Sequence, residues 1–216
     1  GSKVVSPTTT IMSETGMSGS EVMTALGLPS DIDPTQYNPF DIVDDEQVAL
    51  EYEKASHQII NTVRGIGAAL EASGINSAEA FTKSMDAFVS VVKEKGSENL
   101  SIDFTSVSEI SEVIDRVVKD NPEVINLSTE LKGSITSAIN NTNDLISKAN
   151  DLSSEGSQSL FALSNSVVEQ IKSSGGNAEK ILFADIDNLT EIVIIDGDDE
   201  ETAVSGVSGG GVSSGG

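Results

Sequence analysis

Four of the five prolines in this chain lie within its first forty residues, and the fifth, Pro122, stands alone. Proline fixes the backbone torsion φ and lacks the amide hydrogen that a helix interior requires. Beyond position 40, apolar side chains recur at steps of three and four, which is typical of amphipathic helices. The proline distribution therefore divides the chain into a short segment rich in turns and a long helical body.

Residues 3–43 form the proline-rich segment, which we name the N-terminal wrap. Its sequence predicts two short helices, the first of which follows Ser6 and takes Pro7 as its first residue, a favoured position for proline. The second ends at Leu26, because Gly27 is a typical residue just beyond a helix C-terminus. The remaining prolines predict turns, since each one drives the residue before it out of the α region.

Residues 44–195 are predicted to form a helical bundle. Their stripes of Ile, Val, Leu and Ala predict helices over residues 44–73, 77–95, 106–119, 122 or 128 to 152, 155–173 and 177–192. Aromatic residues make up 4% of the chain, which suits a bundle core built from aliphatic side chains. We therefore expect an all-α fold of five to six main helices, with the wrap packed against the first of them.

Both ends of the sequence differ from this body. Gly1 and Ser2 resemble a cloning scar, which indicates a piece excised from a longer protein. Residues 192–195 are β-branched and short, so they fit either an edge strand or the end of the sixth helix. Residues 196–216 begin as an acidic run and continue as Ser and Gly, which predicts a flexible linker.

Charge and composition exclude several classes of function. The formal net charge is −23, which argues against binding to nucleic acids and to anionic membranes, since both recruit Lys and Arg. The chain contains no cysteine, so thiol catalysis and thiolate metal sites are excluded. It contains no apolar run of about 18 residues, so we expect no insertion into a membrane.

Acidic residues in the wrap are the candidates for a metal site. Asp31, Asp33 and Asp41, together with Asp44 and Asp45, supply the carboxylates that Ca²⁺ prefers. The alternative is that the first two satisfy backbone amides within turns, while the last two begin a helix. Calcium is the one cofactor that the sequence suggests, and we favour the role in turns.

The sequence offers no candidate catalytic residues, and we predict a protein that is not an enzyme. His57 is the only histidine and lies off the apolar stripe of its helix, so we expect it to be exposed. Gly65 and Gly67 lie inside that helix and predict the close approach of a neighbouring helix, or a bend. Polar residues between 126 and 170 predict either a ligand-binding surface or solvated helix faces, and we favour the solvated faces.

The wrap resembles a segment found in very large bacterial surface adhesins. The similarity rests on residues 6–10 (Ser-Pro-Thr-Thr-Thr), 25–29 (Ala-Leu-Gly-Leu-Pro), 31–33 (Asp-Ile-Asp) and 37–39 (Tyr-Asn-Pro). A long helix similar to residues 51–70 follows in that family. The resemblance implies a helical domain that lies outside the cell, among immunoglobulin-like, cadherin-like and calcium-binding repeats, and has no catalytic role.

We therefore expect an extracellular module of a bacterial adhesin that acts as a spacer or an attachment domain. Its partners would be neighbouring domains of the same chain and a protein or glycan ligand on a cell surface. One alternative is a ligand- or polysaccharide-binding accessory domain of a secreted enzyme. A second alternative is a helical signalling protein inside the cell.

Overall fold

The computed structural model describes residues 6–41, 46–122, 125 and 127–181. Within these ranges the chain is helical and forms no strand, so the expected all-α class is confirmed. The helices are α1 (Pro7–Thr15), α2 (Gly19–Ala25), α3 (Glu46–Ala72), α4 (Ser77–Ser97), α5 (Val107–Asp120), α6 (Thr129–Ser147) and α7 (Glu155–Ser173). None of these seven helices combines the length and the apolar content of a membrane span.

The two short helices predicted in the wrap are α1 and α2. The Ser6 side chain accepts a hydrogen bond from the backbone N–H of Thr9, whose own side chain accepts from the Ser6 N–H, so both amides are satisfied at the start of α1. Gly27 follows α2 with φ of +73°, a left-handed conformation that side chains with a Cβ rarely adopt. The chain therefore turns sharply at the predicted glycine.

Helix α3 lies at the centre of the bundle, in contact with α1, α4, α6 and α7. Helix α7 runs parallel to α3. Phe161 stacks on His57 towards the start of both helices, with ring centroids 4.5 Å apart, and Lys172 pairs with Glu71 at their ends, with Nζ and Oε2 3.1 Å apart. Because α7 lies alongside α3 between these two contacts, it buries one continuous face of α3.

Helices α4 and α5 run antiparallel to each other. Lys95 at the end of α4 donates to Glu109 at the start of α5, with 2.7 Å between Nζ and Oε1. At the opposite ends of the two helices, Lys83 donates to the side chain of Asn121. These charged and amide contacts join the solvent-facing edges of the pair.

Gly65 allows α6 to approach α3 closely in an antiparallel direction. A Cβ added at Gly65 would lie 2.8 Å from Cγ1 of Ile139, closer than real side chains pack. The backbone of α3 therefore takes the space that a side chain would occupy, and Ile139 is completely buried against it. The predicted close approach of a neighbouring helix is confirmed.

The wrap covers the end of the bundle where α3 begins and α4 ends. Helix α1 contacts α3 at Tyr52, as expected, but α2 packs against α4. At Gly96 near the end of α4, a Cβ would lie 2.5 Å from Cε of Met17, just before α2, and 3.3 Å from Cβ of Ala25, so the glycine allows α2 a close approach. The Ile102 N–H donates to the Ala25 carbonyl at 2.9 Å and fixes this contact.

The C-terminal half departs from the predicted boundaries at two places. Helix α6 ends at Ser147 rather than at residue 152, and Asp151 accepts the amides of Ser153 and Ser154 in the turn that leads into α7. The predicted sixth helix of the body begins as a single 3₁₀ turn, Ala178–Lys180. Its remainder, the segment 192–195 and the tail 196–216 lie outside the described residues.

Two glycine substitutions test the close approach of α3 and α6. Gly65→Ala is expected to lower the free energy of unfolding by about 1 kcal/mol or more, because overpacking against Ile139 outweighs the gain in helix propensity. Gly133→Ala in α6 is the matched control, since its Cβ meets no atom within 4 Å and should stabilise the helix by up to about 1 kcal/mol. Urea unfolding of both variants measures the difference, and equal stabilisation would contradict the close approach.

Candidate functional site

A group of buried amide and hydroxyl side chains lies between α3 and α6. We name Gln58, Asn61, Thr62 and Asn143 the amide cluster. Asn61 and Asn143 are completely buried, and Thr62 and Gln58 are 1% and 7% exposed. Polar groups removed from water destabilise a fold unless they are hydrogen-bonded, so the bonds of this cluster constrain how the two helices pack.

Asn143 is the centre of the amide cluster. Its Nδ2 donates to the Phe104 carbonyl at 2.8 Å and to Oγ1 of Thr62 at 3.1 Å, and its Oδ1 accepts from Nδ2 of Asn61 at 2.8 Å. The Phe104 carbonyl can only accept, so it fixes which end of the Asn143 amide faces it. The Nε2 of Gln58 donates to the backbone carbonyl of Asn143 at 2.9 Å. One side chain thus joins α3, α6 and the loop before α5.

Asn61 is satisfied on one side of its amide only. Its Nδ2 donates to the Ile139 carbonyl at 3.2 Å as well as to Asn143, whereas its buried Oδ1 meets no donor among the described residues. A buried acceptor without a partner costs about 1–3 kcal/mol. The amide cluster therefore lowers the stability of the fold but defines how α3 and α6 pack. Its amide and hydroxyl groups are neutral, so they are suited to positioning helices rather than to transferring protons.

The amide cluster was missed by the sequence analysis. Residues between 126 and 170 were expected to form solvated faces, but Thr136, Thr142 and Asn143 are buried. The spacing of the sequence does indicate burial, because Asn143 follows Ile139 by four residues and precedes Ile146 by three. Its position on the apolar stripe of α6 predicted burial, although its polarity suggested exposure.

The acidic residues proposed as calcium ligands occupy exposed turns of the wrap. Asp33 accepts from the Thr35 backbone N–H at 2.9 Å, from Oγ1 of Thr35 at 2.7 Å and from Nε2 of Gln36 at 2.9 Å. Asp41 accepts from Nδ2 of Asn38 at 2.7 Å, and Asp31 is exposed. These contacts match the alternative role in turns. Asp44 and Asp45 lie outside the described residues.

The carboxylate of Asp33 carries a lowered pKa. The hydrogen bond from the Thr35 hydroxyl is the largest cause, followed by the bond from the Thr35 backbone N–H, since both favour the charged form. Within the described residues, no three acidic or histidine side chains gather as a metal site. Asp31, Asp33 and Asp41 as calcium ligands stay a prediction.

His57 is more enclosed than its place off the apolar stripe suggests. Its ring stacks on Phe161 with an angle of 7° between the planes, and its Nε2 lies 3.4 Å from Oε2 of Glu53. The side chain is 30% exposed, because α7 covers this part of α3. Sequence periodicity within α3 could not show that coverage.

An open groove of about 640 Å³ lies beside α4 and the end of α5. Its lining mixes small, hydroxyl, amide and charged side chains: Ala78, Glu79, Thr82, Lys83, Asp86, Ala87, Asp120 and Asn121. The Lys83 ammonium lies 3.4 Å from Glu79 and donates to Asn121. The groove can accept a polar ligand, although its cation is already engaged by protein groups.

No protein-family model matches the chain, and no curated protein or solved structure is significantly similar to it. The resemblance of the wrap to bacterial surface adhesins therefore stays a prediction from its sequence motifs.

The amide cluster makes a testable contribution to stability. Asn143→Ala is expected to lower the free energy of unfolding by about 2–4 kcal/mol, because it leaves buried groups of Phe104, Thr62 and Asn61 without their partner. Asn141→Ala, in the same helix but only half-buried, is the matched control and should change stability by less than about 0.5 kcal/mol. Chemical denaturation measures both, and equal effects would contradict the role of the cluster.

Thr35→Val is expected to raise the pKa of Asp33 towards its ordinary value of 3.8, because the donor that contributes most is removed. Carboxyl ¹³C NMR across an acid titration measures the shift. The lowered pKa in the folded state means that Asp33 stabilises the fold above its ordinary pKa. That contribution is lost as the pH falls through the folded-state pKa.

The same NMR titration tests the proposed calcium ligands. Millimolar Ca²⁺ should move the carboxyl signals of Asp31, Asp33 and Asp41 together if they share an ion, with Asp144 on α6 as an exposed reference. Unchanged signals would reject the calcium site. An unchanged pKa in Thr35→Val would contradict the assigned cause.

Proposed function

We propose that this chain is a non-catalytic extracellular module of a large bacterial surface adhesin, in which it serves as a spacer or attachment domain. The observation that carries the proposal is the placement of the two ends of the described chain. They lie at opposite ends of the central helix α3, as the units of a linear array require.

The N-terminal end is fixed at the start of α3. Oγ of Ser6 lies 3.3 Å from the hydroxyl of Tyr52, and Oγ1 of Thr8 lies 2.5 Å from it. Gly176, near the last described residues, lies beside the other end of α3, where a Cβ on it would be 3.8 Å from the Ala72 carbonyl. The rise of a helix from Tyr52 to Ala72 separates these points by about 30 Å.

With this placement, a force that pulls on the two points would act along α3. Tension on the two ends acts on a helix that α4, α6 and α7 pack against along its length. The amide cluster binds α3 to α6, and the side chain of Arg64 donates to Asn165 on α7 at 2.7 Å. Cross-links between neighbouring helices support a body that keeps its length under load.

The surface chemistry also supports the proposal. A net charge of −23 keeps the module solvated and repels other copies, which suits a crowded cell surface. The motifs of the wrap supply the resemblance to adhesins. Neighbouring domains of the same chain, and a protein or glycan ligand, are the partners in this proposal.

The open groove beside α4 is the observation that favours the alternative function. A groove of about 640 Å³ has the size of a small-ligand site. It would serve a ligand- or polysaccharide-binding accessory domain of a secreted enzyme. Its lining residues are small and charged rather than aromatic, which makes this the second candidate.

The spacer role predicts a cooperative mechanical response. Held by both ends in optical tweezers, the full chain should keep a folded body about 30 Å long and then lose the bundle in a cooperative step. Asn143→Ala should lower the force of that step, and Asn141→Ala should leave it unchanged. Extension without any cooperative step, beyond the gradual extension expected of the tail 196–216, would overturn the spacer role.

A binding assay separates the attachment role from the alternative. Immobilised chain is exposed to whole cells and to arrays of polysaccharides. Retention of cells supports attachment, while selective retention of a polysaccharide that Lys83→Ala abolishes would favour the accessory domain. In the parent gene, long tandem β-domains on both sides would support the adhesin, and a neighbouring catalytic domain would count against it.

A further inference from the structure

Both ends of the wrap contact one residue of the bundle, Tyr52. The hydroxyls of Ser6, Thr8 and Tyr52 form a triangle with oxygen separations of 2.7, 2.5 and 3.3 Å, which we name the hydroxyl clasp. Thr8 is completely buried and Tyr52 is 2% exposed. The far end of the wrap returns to the same place, because the Tyr37 ring packs on the Tyr52 ring with centroids 4.8 Å apart.

Between these two ends the wrap has backbone and capping hydrogen bonds of its own. Its backbone hydrogen bonds include those of α1, α2 and the turns at residues 29–41, and both helix starts are capped by wrap side chains. Val22 and Met23 in α2 are completely buried, and the Ala25 carbonyl accepts from Ile102 in the bundle. The wrap therefore combines hydrogen bonds of its own with apolar side chains that belong to the same core as the bundle.

The bundle is joined by contacts of a different kind. The amide cluster is buried between its helices, and the ion pair of Lys95 with Glu109 and that of Arg116 with Glu94 connect α4 to α5. The hydrogen bond to Glu109 raises the pKa of Lys95, so this cation stays charged far above neutral pH. These cross-links hold helices against each other, whereas the clasp holds only the start of the wrap.

The direction of load distinguishes the two parts. A chain pulled from its N-terminus transmits tension first to Ser6, and the contacts of the clasp are then stretched one after another. In the bundle, by contrast, α4, α6 and α7 all pack against α3, so tension along α3 acts on many contacts at once. Contacts loaded in sequence fail at lower force than contacts that share the load.

We propose that the N-terminal wrap is a releasable unit, which tension opens at the hydroxyl clasp before the bundle unfolds. This inference rests on the proposed role as a module under load. Release of residues 6–41 would lengthen the chain by about 120 Å at 3.3–3.6 Å per residue while the bundle stays folded. The wrap would then act as a tension-sensitive extension at one end of the module.

Hydrogen exchange of the full chain tests the release unit without any load. In Tyr52→Phe, which keeps the ring on Tyr37 and removes the hydroxyl, amides of α1 and α2 should exchange about tenfold faster, because the hydrogen bonds of that hydroxyl with Ser6 and Thr8 are lost. Amides of α6 around Asn143 should keep their rates. Thr8→Val should repeat this pattern, and Thr82→Val on the exposed face of α4 is the matched control and should change neither set.

Two results would overturn the proposal. Equal acceleration of the wrap and of α6 would show that they open together, and unchanged exchange in both Tyr52→Phe and Thr8→Val would show that the clasp does not hold the wrap. In optical tweezers, the wrap should open in a separate first step at a force that Tyr52→Phe lowers. Failure of the cell-binding assay would reject attachment but leave these exchange results intact, so the two proposals fail separately.

Discussion

The close approach of α3 and α6 is the contact on which the rest of the structure depends. Gly65 removes the side chain that would keep Ile139 away, and the amide cluster then bonds across the narrow gap. The spacing and the hydrogen bonds reinforce each other, because amide groups bridge two helices only when the backbones lie close. With α6 fixed on one side, α3 still presents faces to α4 and α7, and it becomes the central helix of the bundle.

The polar interior explains why this bundle has one defined packing despite its plain aliphatic core. Leucine, isoleucine and valine stripes permit several helix registers of similar free energy. Asn143 permits few registers, since its side chain must form hydrogen bonds with Asn61, Thr62 and the Phe104 carbonyl at the same time. Oδ1 of Asn61 meets no donor among the described residues, which lowers the stability of the fold. In return, the amide cluster favours one helix register, as buried polar residues do in coiled coils. In the role that we propose, a fixed geometry matters more than a small increase in stability.

Local signals in the sequence predicted the helices well and the site poorly. Ser6, Pro7 and Gly27 placed the two helices of the wrap, because capping and proline chemistry act within a few residues. The same local chemistry suggested turn roles for the aspartates of the wrap, as Asp33 shows. The burial of Asn143 was not recognised, because its polarity outweighed its place on the apolar stripe. Pairing with Asn61, 82 residues away, leaves no local signal at all.

The sequence by itself determined the helical class, the two short helices of the wrap and the acidic net charge, since each follows from propensity, periodicity or charge. Only the tertiary structure decided which polar residues are buried, that α7 runs parallel to α3 and covers His57, and that α2 rests on α4 in the space left by Gly96. It also placed Ser6 and Gly176 near positions of α3 that are about 30 Å apart. The physical reason is that helix formation is a local process, whereas the packing of one helix on another depends on shape and hydrogen bonding between residues distant in sequence.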